Sequence, residues 1–232
     1  MADPQRSLAG IALLEGLDPR RRADLELRCR WHRWDAGATI IDRQSEARDV
    51  YFVVAGQVRV VNFSPAGREI AFDEVATGGH FGDLAALDGA PRSATVVALG
   101  ETRTASIAPQ TFLSLLRDNP EIALRVTQGL ARIVRAATDR IMELSTLGAH
   151  NRVHAEILRE ARAAMTGDNT AAITPIPVHS DIAARASTTR ETVARVLGDL
   201  SRQKLVTRER DALAVSDVAK LARLVEAVRE QP

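Results

Sequence analysis

Cysteine is nearly missing from this chain: Cys29 stands alone, so no disulfide can close within it. A single thiol also cannot supply the roughly four ligands of a Cys-bound iron–sulfur cluster. Long apolar runs are missing too, and nothing approaches the ~20 residues that a membrane-spanning helix needs. The opening MADPQRSLAG has no basic stretch followed by an apolar one, as an export signal would, so a cytoplasmic setting is expected. Nor is there an excess of charge of one sign. Lys plus Arg number 31 against 30 Asp plus Glu, and bulk electrostatics announce no nucleic-acid binder. No G-x-S-x-G nucleophile motif occurs, and His150 and His154, four apart, have no third metal ligand near them in sequence. Neither an enzyme nor a metalloprotein is expected, and the chain carries no internal repeat.

What is present begins with His80–Ala94, reading HFGDLAALDGAPRSA after Gly78-Gly79. Glycine lets backbone N–H groups approach an anion, and a helix N-terminus aims several of them at it. The Arg92 guanidinium is a permanently charged fork suited to phosphate, and the Ser93 hydroxyl adds a donor. Asp83 repels phosphate, and makes sense if it accepts a hydrogen bond from a sugar hydroxyl nearby. Anion donors and one acceptor in a single loop describe a site for a phosphorylated ribose.

The chain of 232 residues has room for one large domain or two modest ones. Leu8–Leu27 reads as helical. Candidate strands are Ala38–Asp42, Val50–Val54, Gln57–Phe63, Glu69–Val75, Ala94–Ala98 and Thr102–Ile107, with a hairpin at Ser64-Pro65-Ala66-Gly67. Short strands at this spacing predict a small antiparallel roll. Pro109–Leu116 reads as a short helix. Asn119-Pro120-Glu121 then starts a long one, with no breaker before Gly148. Ala123, Thr127, Leu130, Val134, Ala137, Ile141, Leu144 and Gly148 follow a 4-3 spacing along it. One face buried within its own domain is one reading. The length beyond a compact roll favours a parallel homodimer seam. Ala149-His150-Asn151 reads as a hinge, Val153–Met165 as an amphipathic helix, and Ala171–Thr174 as a short strand.

Val178–Leu200, VHSDIAARASTTRETVARVLGDL, carries the second motif. Ser180 is expected to cap a helix through Arg185. Ala186-Ser187-Thr188 supplies a turn, and Thr188 or Thr189 caps a second helix with Val193, Val196, Leu197 and Leu200 on its inner side. Two short helices with apolar inner faces make a helix-turn-helix. Arg190, Glu191, Thr192 and Arg195 lie outward near the start of the second helix, where a recognition helix meets base edges. Arginine matches the paired acceptors of guanine, and glutamate accepts from a cytosine amino group. Arg185, Arg190, Arg195, Arg202, Lys204, Arg208 and Arg210 are a local surplus that predicts a basic face. Leu205–Val215 reads as a wing hairpin with Arg208 and Arg210 offered to phosphates, and Ser216 as the cap of a last helix, Asp217–Val228.

The first motif resembles the phosphate-binding cassette of cyclic-nucleotide-binding domains, F-G-E-[LI]-A, a spacer, then R-[ST]-A. Gly82, Leu84, Ala85, Arg92, Ser93 and Ala94 match, with Asp83 where glutamate is usual. The second resembles the recognition helix of the catabolite activator (CRP/FNR) family, nearest its cyclic-AMP receptor branch, and the order of all the parts agrees. Ser187 departs from that family's usual turn glycine. The resemblance implies an α+β chain: a β-roll domain at 1–118, a long dimerisation helix at 119–148, and a winged helix-turn-helix at 149–232. It implies a homodimer that binds double-stranded DNA at TGTGA-type half-sites, with RNA polymerase as a partner through Thr166–Pro177. It places the ligand at Gly82, Asp83, Leu84, Ala85, Arg92 and Ser93, and DNA at Ser180, Thr189, Arg190, Glu191, Thr192, Arg195 and Arg208. The family's adenine-touching Thr-Ser pair falls on Ala137 and Thr138, so cyclic AMP and cyclic GMP both stay open. His80 stands where a haem ligand of gas-sensing relatives could be sought, and the intact phosphate loop beside it argues against haem. A constitutive regulator, or one with another effector, is the alternative.

Overall fold

The structure is a computed structural model that describes residues 6–65, 67–165 and 167–229. Ala66 of the expected hairpin turn and Thr166 of the expected polymerase loop lie outside the described residues. Contacts divide the chain into two units, Met1–Ile133 and Val134–Pro232, and the division falls inside the long helix.

The first unit contains β1 (Arg30–Trp34), β2 (Thr39–Ile41), β3 (Val50–Ala55), β4 (Gln57–Phe63), β5 (Glu69–Ala76), β6 (His80–Phe81), β7 (Thr95–Ala98) and β8 (Thr102–Ile107), most of them short segments rich in Val, Ile and Phe. They form two antiparallel sheets, in the orders β1-β8-β3-β6 and β2-β7-β4-β5. Val53, Val58, Phe81, Val96 and Ala98 fill the space between them. Side chains of this size contribute roughly 1.5–3 kcal/mol each on full burial. All six expected strands are present; β1 and β6 were not expected. The sequence RWHRW of β1 lacks an apolar face, and the strand sits at a sheet edge, paired only with β8. The expected helix Leu8–Leu27 is broken into a 3-10 turn, Ala12–Leu14, and α1 (Pro19–Leu27). The first piece ends at Glu15, before Gly16 at φ +76°, and Asp18 caps α1 by accepting from the Arg20 and Arg21 N–H groups.

After α2 (Asp83–Asp88) and α3 (Pro109–Asp118) comes α4 (Pro120–Thr146), which at 27 residues is about 40 Å long. In the first unit Ile122 and Val126 turn into a core with Phe52, Ile107 and Phe112, and Leu130 packs at its margin. In the second unit Val134 and Ile141 are 64% and 63% exposed.

That second unit contains α5 (Ala149–Ala163), β9 (Ala171–Ile173), α6 (His179–Arg185), α7 (Arg190–Arg202), β10 (Val206–Arg208), β11 (Leu213–Val215) and α8 (Val218–Arg229). The sheet order is β10-β11-β9, and Val153, Ile157, Ile182, Val196, Leu200 and Leu221 share one core. Three expectations are corrected here. The supposed hinge Ala149-His150-Asn151 is the first turn of α5, and only Leu147-Gly148 separates it from α4. Ser180 lies within α6, whose N-cap is Val178 without a side-chain bond. Asp217, not Ser216, caps α8: its Oδ1 accepts the Lys220 N–H at 2.7 Å, while Ser216 Oγ donates to the Lys204 carbonyl at 2.7 Å.

Candidate functional site

β6 delivers the chain to Gly82, where φ is +82°, and α2 begins at the next residue. A β-carbon at Gly82 would lie 2.8 Å from Arg92 Nη1 and 3.0 Å from the Asp49 carbonyl oxygen, so only glycine fits beside Arg92. Arg92 is 5% exposed. Its Nη1 donates to the Gly82 carbonyl and its Nη2 to the Asp49 carbonyl, both at 2.8 Å. Its Nε is buried with no hydrogen-bond partner. Burial pulls its pKa down, with Tyr51 and Asp49 acting against that. A desolvated cation, fixed by two neutral carbonyls and holding one donor in reserve, fits an anionic ligand such as a cyclic phosphate.

The other cassette residues take distinct positions. Ala85 is buried, Leu84 half-buried and Ser93 exposed, with the Ser93 carbonyl accepting from Asn62 Nδ2 at 3.2 Å. Asp83 Oδ2 lies 3.8 Å from His80 Nε2. Burial lowers the His80 pKa, Asp83 opposes this, and Arg132 adds to it. Asn62 and Asp49 were not foreseen, because Asn62 interrupts an apolar strand without any motif and Asp49 acts through its backbone. On α4, Ala137 and Thr138 are both exposed, and Thr138 Oγ1 donates to the Val134 carbonyl at 3.0 Å.

In the second unit, the turn between α6 and α7 places Ser187 at φ +46°, the left-handed conformation its usual glycine would adopt freely. Two arginines hold that turn. Arg152 donates to the carbonyls of Ala186 at 2.9 Å, Leu147 at 2.8 Å and Ser187 at 3.1 Å, and Arg140 Nη2 donates to Ser187 Oγ at 2.8 Å. Thr189, rather than Thr188, caps α7, its Oγ1 accepting the Thr192 N–H at 3.3 Å. Thr188 is buried instead. Val193, Val196 and Leu200 face the core, which leaves Arg190, Glu191 and Arg195 exposed and Thr192 half-buried. Ser180 is half-buried near the start of α6, and Arg208 is exposed on β10.

The basic face is smaller than expected. Arg185 is bound to Glu156 and Glu160, and Arg202 to Asp199. Glu156 is buried between Arg159 and Arg185. Its place in the apolar stripe Val153–Ile157 was the one sign of a buried pair. His150 and His154 line a cleft of about 400 Å³ with Arg195 and Asp199. Among the described residues, no group of three or more His, Cys, Asp or Glu side chains is placed to hold a metal ion, and no helix is long and apolar enough to cross a membrane.

Comparison with known proteins divides the chain in the same way. Residues 31–119 match a family model described as a cyclic nucleotide-binding domain, and residues 151–224 match a Crp-like helix-turn-helix domain. The chain is 30% identical over 219 residues to the cyclic AMP receptor protein of Thermus thermophilus, covering 92% of this chain and 96% of that one. It is 25% identical over 217 residues to a CRP-like cAMP-activated global transcriptional regulator of Mycobacterium tuberculosis, covering 93% and 97%. Among solved structures, a CooA mutant from Carboxydothermus hydrogenoformans shares the fold, with a TM-score of 0.79, 20% identity and coverage of 92% and 95%.

Proposed function

Because this chain belongs to the CRP/FNR family of DNA-binding transcription regulators, we propose that it is a homodimer switched by a cyclic nucleotide, cAMP or cGMP. The observation that carries this reading is Arg92, a buried guanidinium whose Nη atoms bind carbonyls and whose Nε has no partner. Arg92 and the backbone at Gly82, Leu84 and Ala85 hold the cyclic phosphate. Asp83 accepts from the ribose 2′-hydroxyl, and Ser93, Ala137 and Thr138 meet the base. The open face of α4 pairs with a second copy.

The nucleotide acts by shifting population. It favours the dimer state whose two α7 helices lie about 34 Å apart, one turn of DNA. Arg190 and Arg195 then read guanine and Glu191 cytosine in a TGTGA-like palindrome, while Ser180, Thr189, Thr192 and Arg208 position the protein on phosphates. The loop after α5 meets RNA polymerase, and the protein works in the cytoplasm without catalysing a reaction.

Arg92→Ala is expected to abolish nucleotide-dependent DNA binding and to leave the nucleotide-free, salt-sensitive binding unchanged. Fluorescence anisotropy on a palindromic duplex, with and without nucleotide, measures both. Operator affinity that responds to nucleotide as strongly in the variant as in the parent would reject the assignment.

A further inference from the structure

β4 and β5 pair regularly from Gln57 with Ala76 to Val60 with Asp73, then slip, so that Val61 pairs with Ala71 and Phe72 is the extra residue of a β-bulge. Val58, Val60 and Val75 pack with Val96 between the two sheets. Directly paired residues share a face, and so do alternate residues along a strand. Asp73, opposite Val60, and Asn62, two residues beyond Val60, therefore lie on the same face of the sheet, with Asp73 exposed and Asn62 half-buried. The bulge puts Phe72 and Asp73 together opposite one residue and re-aims both.

This strip has two features that packing leaves unexplained, beside one carboxylate open to solvent. Phe72 is 59% exposed in the middle of a strand. Asn62 donates Nδ2 to the Ser93 carbonyl, beside Arg92, yet its Oδ1 is buried with no partner. Asp73 Oδ1 accepts the Glu74 N–H at 2.8 Å, and its Oδ2 has no hydrogen bond among the described residues. The surrounding protein raises the Asp73 pKa by desolvation, with the Glu74 bond opposing. An aromatic face, a carboxylate and an amide oxygen thus lie along one strip joined to the loop of Arg92. Asn62 and Asp73 flank the register shift on one face of the sheet, a placement that lets one purine edge meet both.

We propose that this strip reads the base of the nucleotide and selects guanine over adenine. Phe72 stacks on the purine. Asp73 and Asn62 Oδ1 accept from the N1–H and N2–H₂ donors that guanine presents on one edge. Adenine has a bare N1 at the matching position, whose lone pair a carboxylate repels, and it has no N2 amino group. The inference rests on the reading that Arg92 holds the cyclic phosphate.

Calorimetric titration of the full-length protein with cGMP and cAMP tests it, using the parent, Asp73→Ala, Asp73→Asn and Phe72→Ala, each checked for folding by its thermal melt. The parent is expected to bind cGMP about tenfold or more tighter than cAMP. Both Asp73 variants lower that ratio toward one, chiefly by weakening cGMP. Phe72→Ala weakens both nucleotides about tenfold and leaves the ratio in place. Equal affinities, a cAMP preference in the parent, or a cGMP preference that survives Asp73→Ala overturns the base assignment and leaves the effector reading standing. A folded parent that binds neither nucleotide overturns the effector reading, and the base assignment with it.

Discussion

Gly82 and Arg92 constrain each other. With φ at +82°, Gly82 adopts a conformation that costs other residues roughly 1–2 kcal/mol, and its missing side chain leaves the space Arg92 Nη1 occupies. Gly82→Ala adds both the strain and a contact with the guanidinium. The variant is expected to fold with a lowered melting temperature and to bind cyclic nucleotide at least about tenfold more weakly, by calorimetry. Unaltered affinity would show that Arg92 is not held where it acts. At this scale the sequence was legible where a residue has one chemical use. Arg92 and Gly82 announced an anion site by type and spacing. Asn62, Phe72 and Asp73 did not, because their significance comes from a register slip between β4 and β5.

Among the elements, α4 was the most legible, since its 4-3 spacing persists over many turns and depends little on context. Its exposed residues Val134, Ile141 and Leu144 lie on the expected seam, while Ile122 and Val126 on another face serve the roll. Ile141→Arg puts a charge in the middle of that seam. Sedimentation is expected to show a shift from dimer to monomer, with specific DNA affinity falling by at least about tenfold as the second half-site is lost. A variant that stays dimeric would move the interface elsewhere. Element ends were less legible. Ser216 yields the expected cap to its neighbour Asp217, because hydroxyl and carboxylate residues stand side by side and only the backbone path selects one, while α6 starts before Ser180 at Val178, a cap that no side chain marks. The edge strand β1 was hidden because Trp31 and Trp34, which pack against the cores, are separated by His32 and Arg33 and so break the strict alternation of a strand.

The molecule as a whole divides the work between two separately cored units, one with the anion-binding loop and one with the DNA reader. That much followed from the order of two motifs. The buried Glu156 with its arginines did not, since only a tertiary fold brings Arg159 and Arg185 to it.

The open stripe on α4 has a genetic consequence. In the proposed homodimer, that face ties the performance of each chain to the quality of its mate. In cells making equal amounts of intact and Arg190→Ala chains, random pairing leaves about one assembly in four with two working readers. The damaged allele is therefore expected to act dominantly, and reporter output should fall well below the half that independent monomers would retain.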